Sequence, residues 1–439
     1  MVVVAMTNQG ESISFKGIGL SSLTDEEVIF FIRIRGRDSY FSEVYGSRLI
    51  EAFQSLKKYR CISEYKRDAD IHIDLNAVPR DYLYQDEYDT LNNLVSYDEI
   101  IKRCRGLRSI PYTEACKLIA RAYLFFEGFY IANPQLKLIV TGEIDNYVMD
   151  LMVRIGERHH VKFLGLTASL MSPEYQLCVI RGELTPIENS DNYSVDTFKE
   201  KVLRNLENGY EYNIKKIFSR AIYSVLSYTY RVLVRYFIKY KLFGRLEYEY
   251  RFAPYLYGFK SFSQIFALRY LAKEHELIRS SESKKAYIPL HWYPEATTDY
   301  WLKSLYHVDY FSSVMDTIRV LQGQGYEVFA KEHPHFLLAR EGWFYKALNS
   351  VGCTVLPPTV KTKDVFDNVD LVVVWNGSTG IESLLYGMPT LRVVNSYYGD
   401  GLIETLGTID SVMTVLSPVT TDIAEHCIEK VYQSSFRTY

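Results

Sequence analysis

The chain has 439 residues, of which 48% are hydrophobic and 23% charged, with a formal net charge of -3. That length exceeds one ordinary hydrophobic core and predicts two domains of roughly 200 residues each. The nearly balanced charge gives no reason to expect a nucleic-acid partner. Since no run of about 18 apolar residues occurs, we expect no membrane-spanning helix.

Six cysteines lie at positions 61, 104, 116, 178, 353 and 427, and no two of them have the spacing of a metal site. This favours reduced thiols in a cytosolic protein. The first residues, MVVVAMTNQGES, have an apolar patch too short for a signal peptide and lack a basic flank. We therefore expect a cytoplasmic protein.

The first half of the chain alternates between strand-like and helix-like patterns. Residues 28–34 (VIFFIRI) have the apolar run of a buried strand, and residues 70–75 (DIHIDL) alternate between polar and apolar side chains. The further predicted elements are helices at 99–108, 112–129 and 147–159, and strands at 136–140, 161–166 and 179–183. This alternation favours a parallel sheet.

A mostly helical segment separates this half from a second alternating series. The predicted strands of that series are 286–289, 327–331, 354–356, 371–375 and 390–394, and its helices are 306–323, 342–351, 362–368, 380–386 and 422–433. We predict a Rossmann-like domain at 1–194, the helical segment at 195–279, a second Rossmann-like domain at 280–421 and a C-terminal helix at 422–439. Ligands of such sheets bind beyond the carboxyl ends of the strands.

The segment DLVVVWNGSTGIE, residues 370–382, is typical of a strand, a tight turn and a helix. The turn Gly377–Gly380 brings the hydroxyls of Ser378 and Thr379 and free backbone N–H groups to a helix N-terminus, where anions bind favourably. Glu382 can accept hydrogen bonds from ribose hydroxyls, so the segment predicts a nucleotide site. The alternative is that Ser378 and Thr379 only cap the helix.

Two further polar segments follow strands of the same series, PLHWYPEATT at 289–298 and KEHP at 331–334. Lys331 and His333 could supply charge to a phosphate, and His333 could instead protonate a leaving group. The alternatives are that His333-Pro334 forms an ordinary turn and that Glu295 caps a helix.

These segments, together with WFYKAL at 343–348 and NGSTGIESLLYGMPTLRVVNSYYG at 376–399, resemble the capsule polysaccharide biosynthesis family of bacterial glycosyltransferases. That family includes transferases of CMP-activated Kdo and related acidic sugars. The segments YDEIIKRCRGLRSIPYTEA (97–115) and DNYVMDLMVRIGERHHVKFLGL (145–166) resemble upstream parts of such proteins.

The resemblance implies an α/β, GT-B-like fold, with two Rossmann-like domains facing a central cleft and the donor nucleotide in the C-terminal one. It implies that His333, Ser378 and Thr379 contact the phosphate, that Glu382 binds the ribose, and that neither a metal nor another cofactor is needed. We assign the donor-sugar pocket to His291, Glu295, Thr297 and Thr298. Where the family has a glycine-rich segment, this chain has DYWLKSLYHVDY (299–310), so the donor-sugar pocket is expected to differ.

A catalytic base is expected from the N-terminal domain, because it must meet the acceptor hydroxyl across the cleft. Glu143 and Asp145 follow the strand at 136–140, and Arg35, Arg37 and Asp38 follow an earlier strand in the same way. The alternative for Asp145 is that it caps the helix at 147–159.

Residues 213–242 form a predicted basic amphipathic helix. Its basic face is formed by Lys216, Arg220, Arg231 and Arg235, and its apolar face by Ile214, Phe218, Ile222, Val225, Leu233, Tyr236 and Tyr240. We expect the apolar face to pack on the domain core. The alternative is that the helix lies on an anionic membrane surface.

The sequence therefore predicts a glycosyltransferase that moves a sugar from a nucleotide donor, with a CMP-linked acidic sugar favoured, to a saccharide or lipid-linked acceptor of a surface polysaccharide. The alternatives are a nucleotide-sugar epimerase or hydrolase of the same fold and a non-catalytic assembly subunit. A peripheral position at the inner face of the cytoplasmic membrane is compatible with this function.

Overall fold

The computed structural model describes residues 5–6, 12–15, 19–32, 46–168, 175–189, 195–208, 214–257, 262–272, 283–293, 295–333, 336, 340–394, 397–398 and 421–437. The candidates Arg35, Arg37 and Asp38, as well as Pro334, lie outside the described residues.

The first sheet is built mainly from the N-terminal half of the chain. Its strands are β3 (Val28–Phe31), β4 (Cys61–Ser63), β5 (Ile71–His72), β6 (Leu138–Thr141), β7 (Lys162–Ala168), β8 (Tyr175–Ile180) and, from the far end of the chain, β16 (Ser435–Arg437), and the small strand β9 (Glu183–Leu184) pairs with β8. The order across the sheet is β16-β8-β7-β6-β3-β4-β5. Strands β3 to β7 pair in parallel, while β8 is antiparallel to both β7 and β16. Every residue of β3 and β6 is buried, as expected for parallel strands covered on both faces.

The second sheet is parallel throughout its described strands. These are β11 (Lys284–Pro289), β12 (Tyr326–Lys331), β13 (Thr354–Leu356), β14 (Leu371–Val374) and β15 (Thr390–Arg392), in the order β13-β12-β11-β14-β15. Strand β11 therefore lies between β12 and β14, so the segments that follow these three strands emerge side by side. A small antiparallel sheet consists of β1 (Ala5–Met6), β2 (Ser12–Phe15) and β10 (Ile187–Asn189).

Helices cover both sheets. In the N-terminal half they are Gly46–Ala52, Gln85–Leu94, Tyr97–Arg103, Tyr112–Ala132 and Tyr147–Arg158. The middle segment has Val195–Asn208, Ile214–Val232, Tyr248–Arg251, Ala253–Tyr257, a π-helix at Leu233–Leu242 and a 3₁₀-helix at Phe262–Tyr270. The second half has Ala296–Asp299, Tyr310–Gly323, Gly342–Ser350, Thr362–Phe366, Thr379–Leu385 and Thr421–Gln433. Within the described residues, none of these helices is both long and apolar enough to cross a membrane.

The two sheets and the helical segment between them confirm the α/β fold class with two Rossmann-like halves. Several boundaries differ from the sequence prediction. The helix predicted at 99–108 is Tyr97–Arg103, and the chain turns at Gly106, where a side chain would meet the ring of Phe252 at 2.7 Å. The last helix is followed by β16, which pairs with β8 of the first sheet.

Three arginines join the two halves. Arg103 donates hydrogen bonds to the carbonyl oxygens of Asp299 and Leu302 at 3.1 and 2.7 Å. Arg108 contacts the carboxylate of Asp299 at 3.1 Å, and Arg105 lies 3.3 Å from it. The segment DYWLKSLYHVDY (299–310) is therefore anchored at its start by the N-terminal half.

Candidate functional site

The candidate site lies at the carboxyl ends of β11, β12 and β14, where the three polar segments identified in the sequence meet. Asn376 connects two of these segments. Its backbone N–H donates to Nε2 of His291 at 3.0 Å, and its side-chain Nδ2 donates to the carbonyl oxygen of Thr297 at 2.9 Å. Burial lowers the pKa of His291 to about 3, and the charges of His333 and Arg340 act in the same direction. His291 is therefore a neutral acceptor that orders the loops.

Glu295 occupies the N-cap position of the short helix Ala296–Asp299, and its backbone N–H donates to the Thr298 hydroxyl at 3.3 Å. The hydroxyl of Thr297 donates to Glu295 Oε2 at 2.8 Å, and that of Thr298 donates to the Glu295 carbonyl oxygen at 2.9 Å. Burial raises the pKa of Glu295. The four residues assigned to the donor-sugar pocket thus lie in one loop that is largely bonded to itself and to Asn376, and their contact with a sugar stays a prediction.

Lys331 and Glu382 form the charged part of the site. Lys331 ends β12, is 6% exposed, and donates from Nζ to the Thr362 hydroxyl at 2.9 Å. Burial lowers its pKa to about 8, while the nearby carboxylates of Glu382 and Asp364 oppose that shift. Burial also raises the pKa of Glu382, against the opposing effects of Lys331 and Ser378. A buried amine and a carboxylate thus share this edge without a direct hydrogen bond between them.

Ser378 does not cap the helix Thr379–Leu385 with its side chain. Its hydroxyl lies 3.5 Å from Glu382 Oε1 instead. The backbone N–H groups of Gly377, Ser378 and Thr379 donate to no acceptor among the described residues. The capping alternative is therefore wrong for Ser378, and its role at a phosphate stays a prediction.

Gly380 has a structural reason to lack a side chain. A Cβ there would lie 2.0 Å from the hydroxyl oxygen of Tyr398, which donates to the Gly377 carbonyl oxygen at 2.7 Å. Tyr398 therefore closes the turn from the far side. Gly377 is less constrained, because its Cβ would lie 3.4 Å from the ring of His291.

Two buried polar atoms near the site have no hydrogen-bond partner among the described residues, Oδ1 of Asn376 and the hydroxyl of Tyr397. Glu382 lies close enough to Tyr397 to add to the rise in its pKa, which burial chiefly causes. Sequence analysis gave neither residue a role, although both lie inside the segment that carries the family resemblance. Unsatisfied buried polar atoms of this kind are common where a ligand supplies the partner.

A buried ion pair supports the KEHP turn from below. Arg340 Nε lies 2.5 Å from Glu332 Oε2, and its Nη2 donates to the His291 carbonyl oxygen at 2.5 Å. The Tyr345 hydroxyl and the His333 backbone N–H also donate to Glu332, both at 2.6 Å. The sequence did not reveal this network, because Arg340 lies in a stretch of sequence with no periodic pattern. The His333 ring itself is partly buried and packs 5.7 Å from that of Trp292.

The candidate bases lie at the carboxyl edge of the first sheet. Asp145 is 5% exposed, and its carboxylate lies 3.7 Å from Arg105 Nη2. Because Arg105 also pairs with Asp299, Asp145 faces the second half of the chain. The alternative that Asp145 caps the helix is wrong, since the side chain of Asn146 accepts the hydrogen bond from Met149 N at 3.0 Å. Glu143 is partly buried, and a catalytic role for either acid stays a prediction.

The basic amphipathic helix differs from its predicted packing. Ile222 and Leu233, expected in the core, are 43% and 50% exposed, and no residue of Leu233–Leu242 is buried. Arg235 pairs with Glu249 at 2.7 Å and so does not belong to a free basic face. The side chains of Ile214, Lys216, Phe218 and Arg220 lie outside the described ones. The expectation that this apolar face packs on the core is therefore wrong for Ile222 and Leu233.

No protein-family model and no curated protein matches the sequence. Solved structures similar to the chain include KpsC, the beta Kdo 2,7 transferase of Thermosulfurimonas dismutans, at 13% identity and a TM-score of 0.34, covering 72% of this chain and 82% of that one. They also include the UDP-GlcNAc 2-epimerase of Methanocaldococcus jannaschii, at 10% identity and a TM-score of 0.26, covering 93% of this chain and 99% of that one. The enzyme of the same name from Neisseria meningitidis has 8% identity and a TM-score of 0.28, covering 94% and 91%. Likeness at this distance assigns no activity to the chain.

Proposed function

We propose that the protein is a glycosyltransferase that moves a sugar from a nucleotide donor to an acceptor hydroxyl. The observation that carries the proposal is the grouping of Lys331, Glu382 and Ser378 at the carboxyl edge of the second sheet. The buried amine lies beside a turn in which the backbone N–H groups of Gly377, Ser378 and Thr379 donate to no acceptor among the described residues. In this proposal the ammonium of Lys331 would pair with a donor phosphate, and the carboxylate of Glu382 would accept hydrogen bonds from the ribose hydroxyls.

In the proposed reaction the acceptor oxygen bonds to the anomeric carbon, and the bond from that carbon to the phosphate oxygen breaks. The electron pair of the broken bond passes to the phosphate, and the acceptor proton passes to a carboxylate of the first half. Lys331, and His333 when charged, would stabilise the charge that develops on the phosphate. A CMP-linked acidic sugar is the first choice of donor, with UDP- and GDP-sugars as the second.

Nucleotide binding tests the donor site. All four tryptophans lie in the second half of the chain, and Trp375 directly precedes the turn. We expect CMP, UDP or GDP to change tryptophan fluorescence and raise the melting temperature, because a ligand bound by the folded state stabilises it. Lys331→Met and Glu382→Gln should weaken that binding about tenfold or more. Lys363→Met, at an exposed lysine paired with Asp367, is the matched control.

If all three nucleotides leave fluorescence and melting unchanged, the donor-site assignment is wrong. Turnover separates the proposed transferase from an epimerase or hydrolase, because only a transferase consumes donor in an acceptor-dependent manner. Donor loss without any acceptor would replace the proposal with one of those alternatives, and nucleotide binding without turnover of any nucleotide sugar would favour the assembly subunit.

We also propose that the protein rests on an anionic membrane through an exposed helix face, formed by Ile222, Tyr223, Leu226, Tyr230, Leu233 and Phe237. These side chains recur every three or four residues and are 43–72% exposed. Lys239 and Lys241 follow in the last turn. An apolar stripe beside lysines suits the boundary between acyl chains and anionic headgroups, which is where a lipid-linked acceptor would present its sugar.

Sedimentation with liposomes that contain anionic lipid tests this placement. Arg231→Gln, Lys239→Gln and Lys241→Gln together should reduce binding, since each basic residue near such a surface contributes about 1 kcal/mol. Tyr230→Ser with Phe237→Ser should do the same at high salt, where the apolar contribution remains. Failure of the wild-type protein to bind anionic liposomes at low salt would contradict the membrane placement and leave the donor site untouched.

A further inference from the structure

A second cavity opens at the carboxyl edge of the first sheet, beyond the ends of β4 and β5. It has a volume of about 210 Å³, and its lining includes Glu64, His72, Asp74, Asn76, Arg245 and Glu247. Two parts of the chain form the cavity. One is residues 64–76, which follow β4 and include β5, and the other is residues 243–247, which connect the π-helix to the next helix. The carboxyl edge of a parallel sheet is where such folds place ligands.

Glu64 is the unusual group in this cavity. Glu64 is only 9% exposed, and one of its carboxyl oxygens accepts a hydrogen bond from the backbone N–H of Tyr248 at 3.1 Å. The other oxygen accepts no hydrogen bond from any described residue. Arg245, a cation in the cavity lining, pairs with Glu247 at 2.9 Å. The carboxyl therefore has hydrogen-bonding capacity left for a group that enters the cavity.

The surroundings keep this carboxyl neutral. Burial, with a smaller contribution from the carboxylates of Glu247, Glu249 and Asp145, raises the pKa of Glu64 to about 8, against the opposing effect of the hydrogen bond from the Tyr248 backbone N–H. A protonated carboxyl donates one hydrogen bond and accepts others. In the part of the chain that the structure describes, the rest of the charged lining balances, with Lys66 and Arg245 against Asp74 and Glu247.

The cavity thus offers both donors and acceptors with little net charge, which matches the hydroxyls of a neutral sugar and disfavours a phosphate or an acidic sugar. Its volume lies below the roughly 300–1,000 Å³ of pockets for larger ligands, so it fits about one sugar residue. At its mouth lies Phe243, whose ring is 64% exposed and could stack on the apolar face of a sugar.

We infer that this cavity binds a neutral sugar residue of the acceptor, with Glu64 hydrogen-bonding a sugar hydroxyl and Phe243 covering the ring. The inference rests on the proposed glycosyltransferase and names its acceptor class. It also connects two surfaces, because Phe243 immediately follows the π-helix that continues the exposed helix face. An acceptor with a lipid on that face would reach the cavity with its sugar.

Ligand-observed NMR, by saturation transfer from the full-length protein, tests the inference at pH 7. The probes are methyl glucoside, methyl galactoside and methyl N-acetylglucosaminide, with glucosamine and N-acetylneuraminic acid as cationic and anionic comparisons. We expect at least one neutral glycoside to bind in preference to both charged sugars. Phe243→Ala and Glu64→Leu should each weaken it by about fivefold or more, through lost stacking and a lost hydrogen bond.

Two variants serve as controls for these losses. Phe266→Ala removes an equally exposed ring, 69% exposed, from a helix outside the cavity lining and should leave binding unchanged. Glu64→Gln keeps both a donor and an acceptor and should retain binding. Because Phe243 is exposed, its variant is expected to fold, which keeps the test valid if Glu64→Leu does not.

Binding should also fall as the pH rises through about 8 in the wild type but not in Glu64→Gln, since the gained charge would face the carboxylates around it. The charged and titratable groups around Glu64 are Glu247 and Glu249 beside Tyr248, Asp145 after β6, the phenols of Tyr65 and Tyr147, and Lys66, His72, Asp74 and Arg245 in the cavity wall. A purely structural role for Glu64 would not give a binding profile that the glutamine variant abolishes.

No binding of a neutral glycoside to the wild type, a preference for a charged sugar, or an unchanged affinity in Phe243→Ala would each overturn the inference. The nucleotide titration separates its failure from that of the proposed function. Nucleotide binding without glycoside binding would contradict only the sugar site in the cavity. Glycoside binding without nucleotide binding would contradict the donor site and, with it, the proposed transferase activity.

Discussion

The carboxyl edges of the two sheets are built in opposite ways. At the second sheet the polar groups are bonded to one another. The Glu332 carboxylate accepts hydrogen bonds from Arg340, from the Tyr345 hydroxyl and from the His333 backbone N–H. At the first sheet the side-chain carboxyl of Glu64 accepts a single described hydrogen bond and faces further carboxylates. The first arrangement holds loops in place before a ligand arrives, whereas the second leaves part of its bonding capacity for the ligand.

The largest expected effect comes from removing the buried ion pair at the carboxyl edge of the second sheet. Arg340→Met leaves the fully buried carboxylate of Glu332 without its cation, and we expect a loss of about 3–5 kcal/mol in the free energy of unfolding. Urea unfolding followed by tryptophan fluorescence measures it, because all tryptophans lie in this half. Arg319→Met, which breaks an exposed pair with Asp316, should cost about 0–1 kcal/mol. Equal losses in the two variants would show that the edge is not held by its ion pair.

The next effect concerns chemistry at the same edge. His333→Ala should lower turnover about a hundredfold, through a lost electrostatic or acid contact with the leaving phosphate, while the urea midpoint changes little because the side chain is only partly buried. Steady-state kinetics with the nucleotide sugar that binds most tightly measures the loss. His307→Ala, a histidine of the same half that bonds the Ser313 hydroxyl, is the control. A destabilised protein with normal specific activity would make His333 an ordinary turn residue.

Gly380→Ala tests how tightly the turn at the second sheet is packed, because it adds one methyl group there. The new Cβ would meet the Tyr398 hydroxyl oxygen at 2.0 Å, so we expect a loss of about 1–3 kcal/mol in stability. Adding Tyr398→Phe should recover part of that loss. Gly128→Ala, inside the helix Tyr112–Ala132 with open space around it, should instead stabilise the protein by roughly 0.5–1 kcal/mol. Thermal unfolding of the three variants decides whether Tyr398 limits this position.

The last expected effect comes from Glu64 at the carboxyl edge of the first sheet, and it depends on pH. Glu64 has a pKa of about 8 in the folded protein, against an ordinary value of 4.5. Between these values the unfolded chain has released the proton while the folded protein retains it, so the stability that this group contributes falls as pH rises from 4.5 to 8. Urea midpoints of Glu64→Gln should therefore fall less over this window than those of the wild type.

Glu183→Gln, at a side chain 73% exposed, is the control for that measurement and should follow the wild type. Parallel pH profiles for the wild type and Glu64→Gln would mean that Glu64 is ionised in the folded protein. In that case the contrast between the two edges would disappear.

Much of the architecture was predictable because periodic apolar patterns determine it. The strand at 371–375 and the turn after it were found from an apolar run that stops at Asn-Gly, and the structure has β14 there. The helix face around Leu233 was misplaced for the opposite reason, since periodicity reveals that an apolar face exists but not what covers it. Lys331 and Glu382 could be predicted as site residues because the polar segments that contain them follow predicted strands.

The contacts that complete the site depend on residues distant in sequence, and no local pattern reveals them. Arg340 reaches back to Glu332 and to the carbonyl of His291, and Arg105 joins Asp145 to Asp299 across the two halves. Glu64 follows a three-residue strand and carries no motif, so only its burial and the cavity beside it identify it.

The last strand has a consequence for how the protein folds. Because β16 forms the edge of the first sheet beside β8, with Phe436 opposite Gln176, that sheet remains open on the side of β8 until residues 435–437 have been synthesised. The pairing closes a loop that contains the helical segment and the whole second sheet, and contacts of such long sequence separation form late and slowly. Until residues 435–437 have been synthesised, residues 175–177 of β8 therefore lack this antiparallel partner, and an unpaired strand edge of this kind is open to mispairing or to a chaperone.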